Sequence, residues 1–138
     1  MSYNIIVAED DSDDRTLLET AFRETGLEVE LVFVNNGVEL LKLLTAQKRS
    51  VAPRVIMLDL NMPKKDGRES LKELKQHPDL KKIPVIIFTT TNNAAEINRC
   101  YELGANTYVV KPDTYADLLK VVKHLKNYWF EIASVSEP

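Results

Sequence analysis

Five short apolar runs alternate with five amphipathic stretches along this chain, and four of the runs end on residues with chemistry. Asn4-Ile5-Ile6-Val7-Ala8 leads into Glu9-Asp10-Asp11. Arg54-Val55-Ile56-Met57-Leu58 leads into Asp59. Pro84-Val85-Ile86-Ile87-Phe88 leads into Thr89-Thr90-Thr91, and Thr107-Tyr108-Val109-Val110 into Lys111-Pro112. The remaining run, 29–34, alternates at its start. Runs of this length, bounded by polar residues, read as strands. The third, over 54–59, is apolar on both faces, as the centre of a parallel sheet covered on both sides requires.

The stretches between read as helices. Residues 12–25 place Leu17, Leu18, Ala21 and Phe22 on one face, and Gly26 closes them. Asn36 with Glu39 three places on is a capping-box-like start for a helix whose inner stripe is Val38, Leu41 and Leu44. Residues 48–53 are a polar, proline-ended connection. Asp66 and Glu69 open a short helix carrying Leu71 and Leu74, which His77-Pro78 ends. Asn93 and Glu96 open one carrying Ile97, Cys100 and Tyr101, which Gly104 stops. The last begins near Thr114, with Leu118, Val121, Val122 and Leu125 inward. Strand and helix alternate five times, a (βα)5 pattern that implies an α/β fold with a parallel sheet and right-handed crossovers. Ligands of such sheets bind outside the carboxyl ends of the strands, the side on which the polar run ends fall.

At 138 residues the chain is expected to be a single domain, core about 4–128 with a C-terminal extension over 129–138 and no output domain. A net charge of -3 argues against nonspecific nucleic-acid binding. No apolar run approaches the ~20 residues of a membrane span, and Met1-Ser2-Tyr3-Asn4 lacks the basic start of a signal peptide. The lone Cys100 forbids an internal disulfide and fits a reducing cytoplasm. From Ser134 onward the chain reads as frayed.

Glu9, Asp10 and Asp59 converge if the first and third strands are neighbours. Clustered carboxylates repel, and one takes up a proton unless a cation intervenes. Mg²⁺ suits all-oxygen donors best, with Mn²⁺ as a substitute; no His or Cys stands at these strand ends, which argues against zinc. Taken alone, the run Glu9–Asp14 is also a plain acidic helix start. Lys111 alone is a solvated lysine, and Thr89, Thr90 and Thr91 alone are strand residues. Together they offer a fixed cation and hydroxyl donors beside the acids.

In order and spacing, Glu9-Asp10, Asp59, Thr89 and Tyr108 with Lys111-Pro112 resemble the response-regulator receiver domain, the CheY-like module of two-component signalling. Asp59 stands 30 residues before Thr89, and Thr89 stands 22 before Lys111. The segments 58–69, 101–108 and Tyr128-Trp129-Phe130 resemble, more narrowly, single-domain regulators paired with bacterial phytochrome kinases. The lengthened connection before the third strand does too. The resemblance implies a flavodoxin-like five-stranded parallel sheet, order 2-1-3-4-5, with helices on both faces. It makes Asp59 the phosphoacceptor for a sensor histidine kinase, and the chain a catalyst of its own phosphorylation and dephosphorylation. It gives Mg²⁺ to Asp10, Asp59 and the backbone carbonyl of Asn61, with Glu9 acting through a water. It assigns phosphoryl binding and switching to Lys111, Thr89, Thr90 and Tyr108, and dephosphorylation tuning to Asn61 and Thr91. It also implies a cis bond before Pro112.

Tyr128, Trp129 and Phe130 have two readings. They form a homodimer contact, or Trp129 and Ile132 continue the core stripe of the last helix. For function, three alternatives stand beside a terminal signal acting by protein–protein contact. One is a shuttle to a histidine phosphotransfer protein. Another is a Mg²⁺-dependent hydrolase of the haloacid dehalogenase type, which wants an Asp where Asn61 stands. The third is a scaffold, against which the full set Asp10, Asp59, Thr89 and Lys111 argues. No nucleic-acid or membrane partner is expected.

Overall fold

The computed structural model describes residues 3–46 and 53–136. Among these, strands β1 (Tyr3–Ala8), β2 (Val29–Val34), β3 (Val55–Leu58), β4 (Val85–Thr89) and β5 (Thr107–Val110) form one sheet. All neighbours are parallel, in the order β2-β1-β3-β4-β5. The helices are α1 (Ser12–Glu24), α2 (Gly37–Leu44), α3 (Gly67–Gln76), α4 (Ala94–Leu103) and α5 (Tyr115–Lys126). Each N-cap side chain, Asp11, Asn36, Asp66, Asn93 or Thr114, accepts a backbone N–H three residues on. Such a bond contributes about 1 kcal/mol against an alanine cap. The connection expected over 48–53 lies, Pro53 apart, outside the described residues.

Alternate residues of a strand point to opposite faces, and both faces of β1, β3 and β4 are apolar. Ile6, Ala8, Ile56, Leu58 and Ile87 pack with Leu40, Leu71, Leu74 and Cys100 of α2, α3 and α4. Ile5, Val7, Val55, Met57, Ile86 and Phe88 pack with Leu18, Phe22, Leu118 and Val122 of α1 and α5. Burying one such large side chain contributes roughly 1.5–3 kcal/mol. Two expected core positions differ. Val38 and Leu17 are exposed, while Leu40 is fully buried. Helix α2 is turned so that Gly37 presses on α3; a Cβ there would overlap the Ser70 hydroxyl and lie 2.9 Å from the Lys65 carbonyl oxygen. That rotation carries Leu40 inward and Val38 out.

The C-terminal aromatics divide. After α5 the backbone widens into a π-helical turn, Asn127–Ile132, in which the Ala133 N–H reaches back five residues to the Tyr128 carbonyl at 2.7 Å. Trp129 and Phe130 are both buried in the α1–α5 core, so neither is available for a dimer contact. Ile132, expected inward, is 71% exposed because the extra residue in the turn rotates it away from the stripe. Arg54 fastens this segment to the start of β3. Its Nε and Nη2 donate to the carbonyls of Trp129 (2.8 Å) and Ala133 (3.1 Å), and its guanidinium lies over the Phe130 ring. Trp129→Ala should therefore cost about 3–5 kcal/mol in urea denaturation, whereas Tyr128→Ala, which removes the edge-to-face contact of a half-exposed ring with Trp129, should cost about 0.5–1.5 kcal/mol.

Candidate functional site

The pairing of β1 with β3 sets the site. Ala8 lies opposite Leu58, so Glu9-Asp10 and Asp59 leave the sheet side by side, with the Asp59 N–H on the Ala8 carbonyl at 3.1 Å. One carboxylate oxygen each of Glu9, Asp10 and Asp59 lies within 4.8 Å of the others. Glu9 and Asp59 are buried, only 4% and 6% exposed; Asp10 faces solvent. The start of α3 approaches this strand end at Gly67, where a Cβ would overlap the Asp59 carbonyl and fall 2.7 Å from Leu60 Cα. Glycine lets the helix close over the acid's backbone. The Asn61 N–H, 3.3 Å from Asp59 Oδ1, steadies the carboxylate.

Lys111 enters from β5. Its N–H donates to the Thr89 carbonyl at 2.7 Å, and its Nζ lies 2.5 Å from Glu9 Oε1, 2.8 Å from Asp14 Oδ2 and 3.4 Å from Asp59 Oδ2. Burial works against this ammonium, but the bonds to Asp14 and Glu9 and the charge of Asp59 outweigh it and hold its pKa above the ordinary lysine range. Burial raises the Glu9 pKa; Asp59 adds to the rise and the bond from Lys111 opposes it. The peptide before Pro112 is trans, as are all others among the described residues, in place of the expected cis bond. Trans is the intrinsically preferred isomer, by about 0.5–1 kcal/mol, and Lys111 meets all three acids from that backbone.

The hydroxyls are not equivalent. Thr89 is fully buried and its Oγ1 has no hydrogen-bond partner among the described residues. A buried polar atom left so costs about 1–3 kcal/mol, and a ligand oxygen would relieve it. Thr90 is exposed. Thr91 is held twice: its Oγ1 accepts from Asn61 Nδ2 at 3.3 Å, and its carbonyl accepts from the Tyr108 hydroxyl at 2.7 Å. Tyr108 is half-buried, and burial raises its pKa. Two partners were not foreseen in the sequence. Asp14 was one acid among several at a helix start. An ion pair of Arg68 Nε with Glu96 Oε2, at 2.7 Å, ties the first turns of α3 and α4 together beside the site. Neither residue's pattern along the chain distinguishes it from surface charge.

The donor set fits a hard divalent cation. Three carboxylates supply oxygen only, Lys111 is the cation that pairs with Glu9 and Asp59 among the described residues, and one of the three opens to solvent.

A parallel sheet of this order, with acids beyond its first and third strands and a lysine beyond its fifth, has the layout of a signalling receiver domain. The chain belongs to the response regulator receiver domain family, whose model matches residues 5–123. It is 37% identical over 134 residues to the response regulator Rcp1 of Synechocystis sp., covering 95% of this chain and 91% of that one. A structure of Rcp1 in its Mn²⁺-bound form superposes with a TM-score of 0.87 at 36% identity, covering 97% of this chain and 99% of that one. The phosphorylated cyanobacterial phytochrome response regulator RcpA gives a TM-score of 0.89 at 34% identity, over 98% of this chain and 99% of that one. RPA3017, a response regulator in red light signaling of R. palustris, gives 0.92 at 30% identity, over 99% of both chains.

Removing the one cation amid these acids should be costly. Lys111→Met is expected to destabilise the metal-free protein by about 3–5 kcal/mol at pH 7, because it strands buried carboxylates. The sign of its pH dependence follows from Glu9. A carboxyl whose folded pKa lies above its unfolded value favours the fold while protonated, fully so below the ordinary value of 4.5, and loses that contribution as pH rises through the raised value. Because the bond from Lys111 lowers the Glu9 pKa, its loss raises that pKa further, and the deficit of Lys111→Met relative to wild type should shrink between pH 7 and pH 5 in urea titrations; a constant deficit contradicts this effect of Lys111 on Glu9.

Proposed function

We propose that this chain accepts a phosphoryl group on Asp59 from the phosphohistidine of a sensor histidine kinase and signals through the surface change that follows. The observation that carries this reading is a buried carboxylate flanked by a lysine ammonium at 3.4 Å and, at the end of the next strand, by a buried hydroxyl with no partner among the described residues. In the transfer, an Asp59 oxygen forms the new bond to phosphorus. The donor's P–N bond breaks, and its electron pair stays on the imidazole nitrogen. Lys111 meets the charge arriving on the phosphoryl oxygens, and Thr89 donates its hydroxyl to one of them. Asp10, Asp59 and the Asn61 carbonyl, with Glu9 beside them, would hold Mg²⁺, which would supply neutralisation of part of that charge.

The acyl phosphate carries about two negative charges where the carboxylate carried one, a net change of about -1 at neutral pH. Thr89 is drawn toward it, which loosens the segment carrying Thr91 and frees the Tyr108 hydroxyl bound there. Tyr108 then turns inward and alters the face made by α4, β5 and α5, a shift between states the resting protein already samples. Asn61 and Thr91 bind each other at the mouth of the site, and Thr91 brings no acid or amide to activate water, which favours a long-lived phosphoryl group. The relatives Rcp1, RcpA and RPA3017 support a kinase of phytochrome type. Residues 1–138 act in this reading as one receiver domain of the cytoplasm; no described helix is long and apolar enough to cross a membrane. Self-association through the C-terminal segment would rest on Tyr128, the exposed member of its three aromatics.

Incubation with acetyl phosphate and Mg²⁺ should add the mass of one phosphoryl group. Asp59→Asn should not gain it; an unchanged rate in that variant overturns the assignment.

A further inference from the structure

Lys111 is not poised on the acceptor in the resting protein. Its ammonium is nearer to Glu9 (2.5 Å) and Asp14 (2.8 Å) than to Asp59 (3.4 Å). Glu9 and Asp59 are strand-end acids of the cation cluster. Asp14 stands apart, in the first turn of α1, and is not one of the three carboxylates gathered within 4.8 Å. Its position is fixed. The Asp14 N–H is bound by the capping Asp11 side chain at 2.9 Å, and the next residue, Arg15, donates Nε to the Glu9 carbonyl at 2.6 Å. The two competing acids also differ in solvation. The Glu9 side chain is 5% exposed and the Asp14 side chain 40% exposed. Water can replace lysine at Asp14 but not at Glu9.

We infer that Asp14 is a positioning residue for phosphoryl transfer: it draws the Lys111 ammonium away from Asp59 at rest and releases it to the phosphoryl group on its arrival, water taking the lysine's place at Asp14. This rests on Asp59 being the acceptor. A single carboxylate holds the lysine against another single carboxylate but loses it to a dianionic group, since attraction scales with charge. Asp14 also repels an incoming phosphodonor. Both effects act against phosphorylation, so the residue sets how readily the site accepts the group, and it acts through Lys111 rather than through a bound cation.

Three variants test this: Asp14→Asn, Asp14→Glu, and Asp13→Asn, which removes one charge from an exposed neighbour. With acetyl phosphate and Mg²⁺, which leave acetate carrying the electron pair of the broken O–P bond, Asp14→Asn should be phosphorylated about three- to tenfold faster than wild type. Asp14→Glu should restore the wild-type rate, and Asp13→Asn should stay within about twofold of it, its charge being screened by water. A second readout needs neither metal nor donor. The ¹³Cε resonance of Lys111, assigned by its loss in Lys111→Arg, should move in Asp14→Asn and not in Asp13→Asn. An Asp14→Asn rate equal to wild type, or matched by Asp13→Asn, or an unmoved Lys111 resonance, overturns the role of Asp14 while leaving the acceptor intact. A wild-type protein that gains no phosphoryl group overturns the acceptor reading and this role with it.

Discussion

One lysine ammonium lies among three carboxylates at the edge of a buried sheet, and the site depends on that sharing. Glu9 and Asp59 are almost entirely removed from water, and an ionised carboxylate buried without a partner costs several kcal/mol. Lys111 offsets that cost for both and binds Asp14 as well. The match is incomplete by design of charge: one ammonium faces four acids once solvent-facing Asp10 is included. The remaining negative charge favours a divalent cation, and the lysine's divided bonding leaves it able to change partners.

The fold supplies this arrangement through strand order. Because β1 is flanked by β2 and β3, its end falls beside that of β3, and β4 and β5 continue the same edge. Chain segments about fifty residues apart thus deliver Glu9, Asp59 and Lys111 to one point. The apolar faces of β1, β3 and β4 fix the register, since a slip by one residue would put every core side chain on the wrong face. Gly67 allows α3 to close against the Asp59 backbone without steric overlap. The C-terminal π-helical turn and Arg54 complete the core at the opposite ends of the strands.

From the acids, a short series of contacts leads outward. The Thr89 hydroxyl lies buried without a partner among the described residues, while its carbonyl holds the Lys111 backbone. Two residues on, Thr91 is bound by Asn61 on one side and by Tyr108 on the other. The Arg68–Glu96 pair joins α3 to α4 across the same mouth. Asn61 thus links the Asp59 carboxylate to the β4–α4 connection through two polar bonds, above a closely packed core.

The (βα)5 alternation, the strand limits to within a residue and all five helix starts were legible in the sequence, because hydrophobic period and capping chemistry are local. So were the site acids, Thr89 and Lys111, since polar residues ending apolar runs of a parallel sheet must share its carboxyl edge. Which residues partner them was not. Asp14 differs from Asp13 only in the direction α1 carries it, and Arg68 meets Glu96 only because α3 and α4 are neighbours. The inward turn of Leu40 follows from Gly37 pressing on Ser70, and the burial of Phe130 beside Trp129 from a single widened turn. Local sequence determined what each segment is; the helix rotations and strand neighbours, set by packing across the whole core, decided which side chains meet.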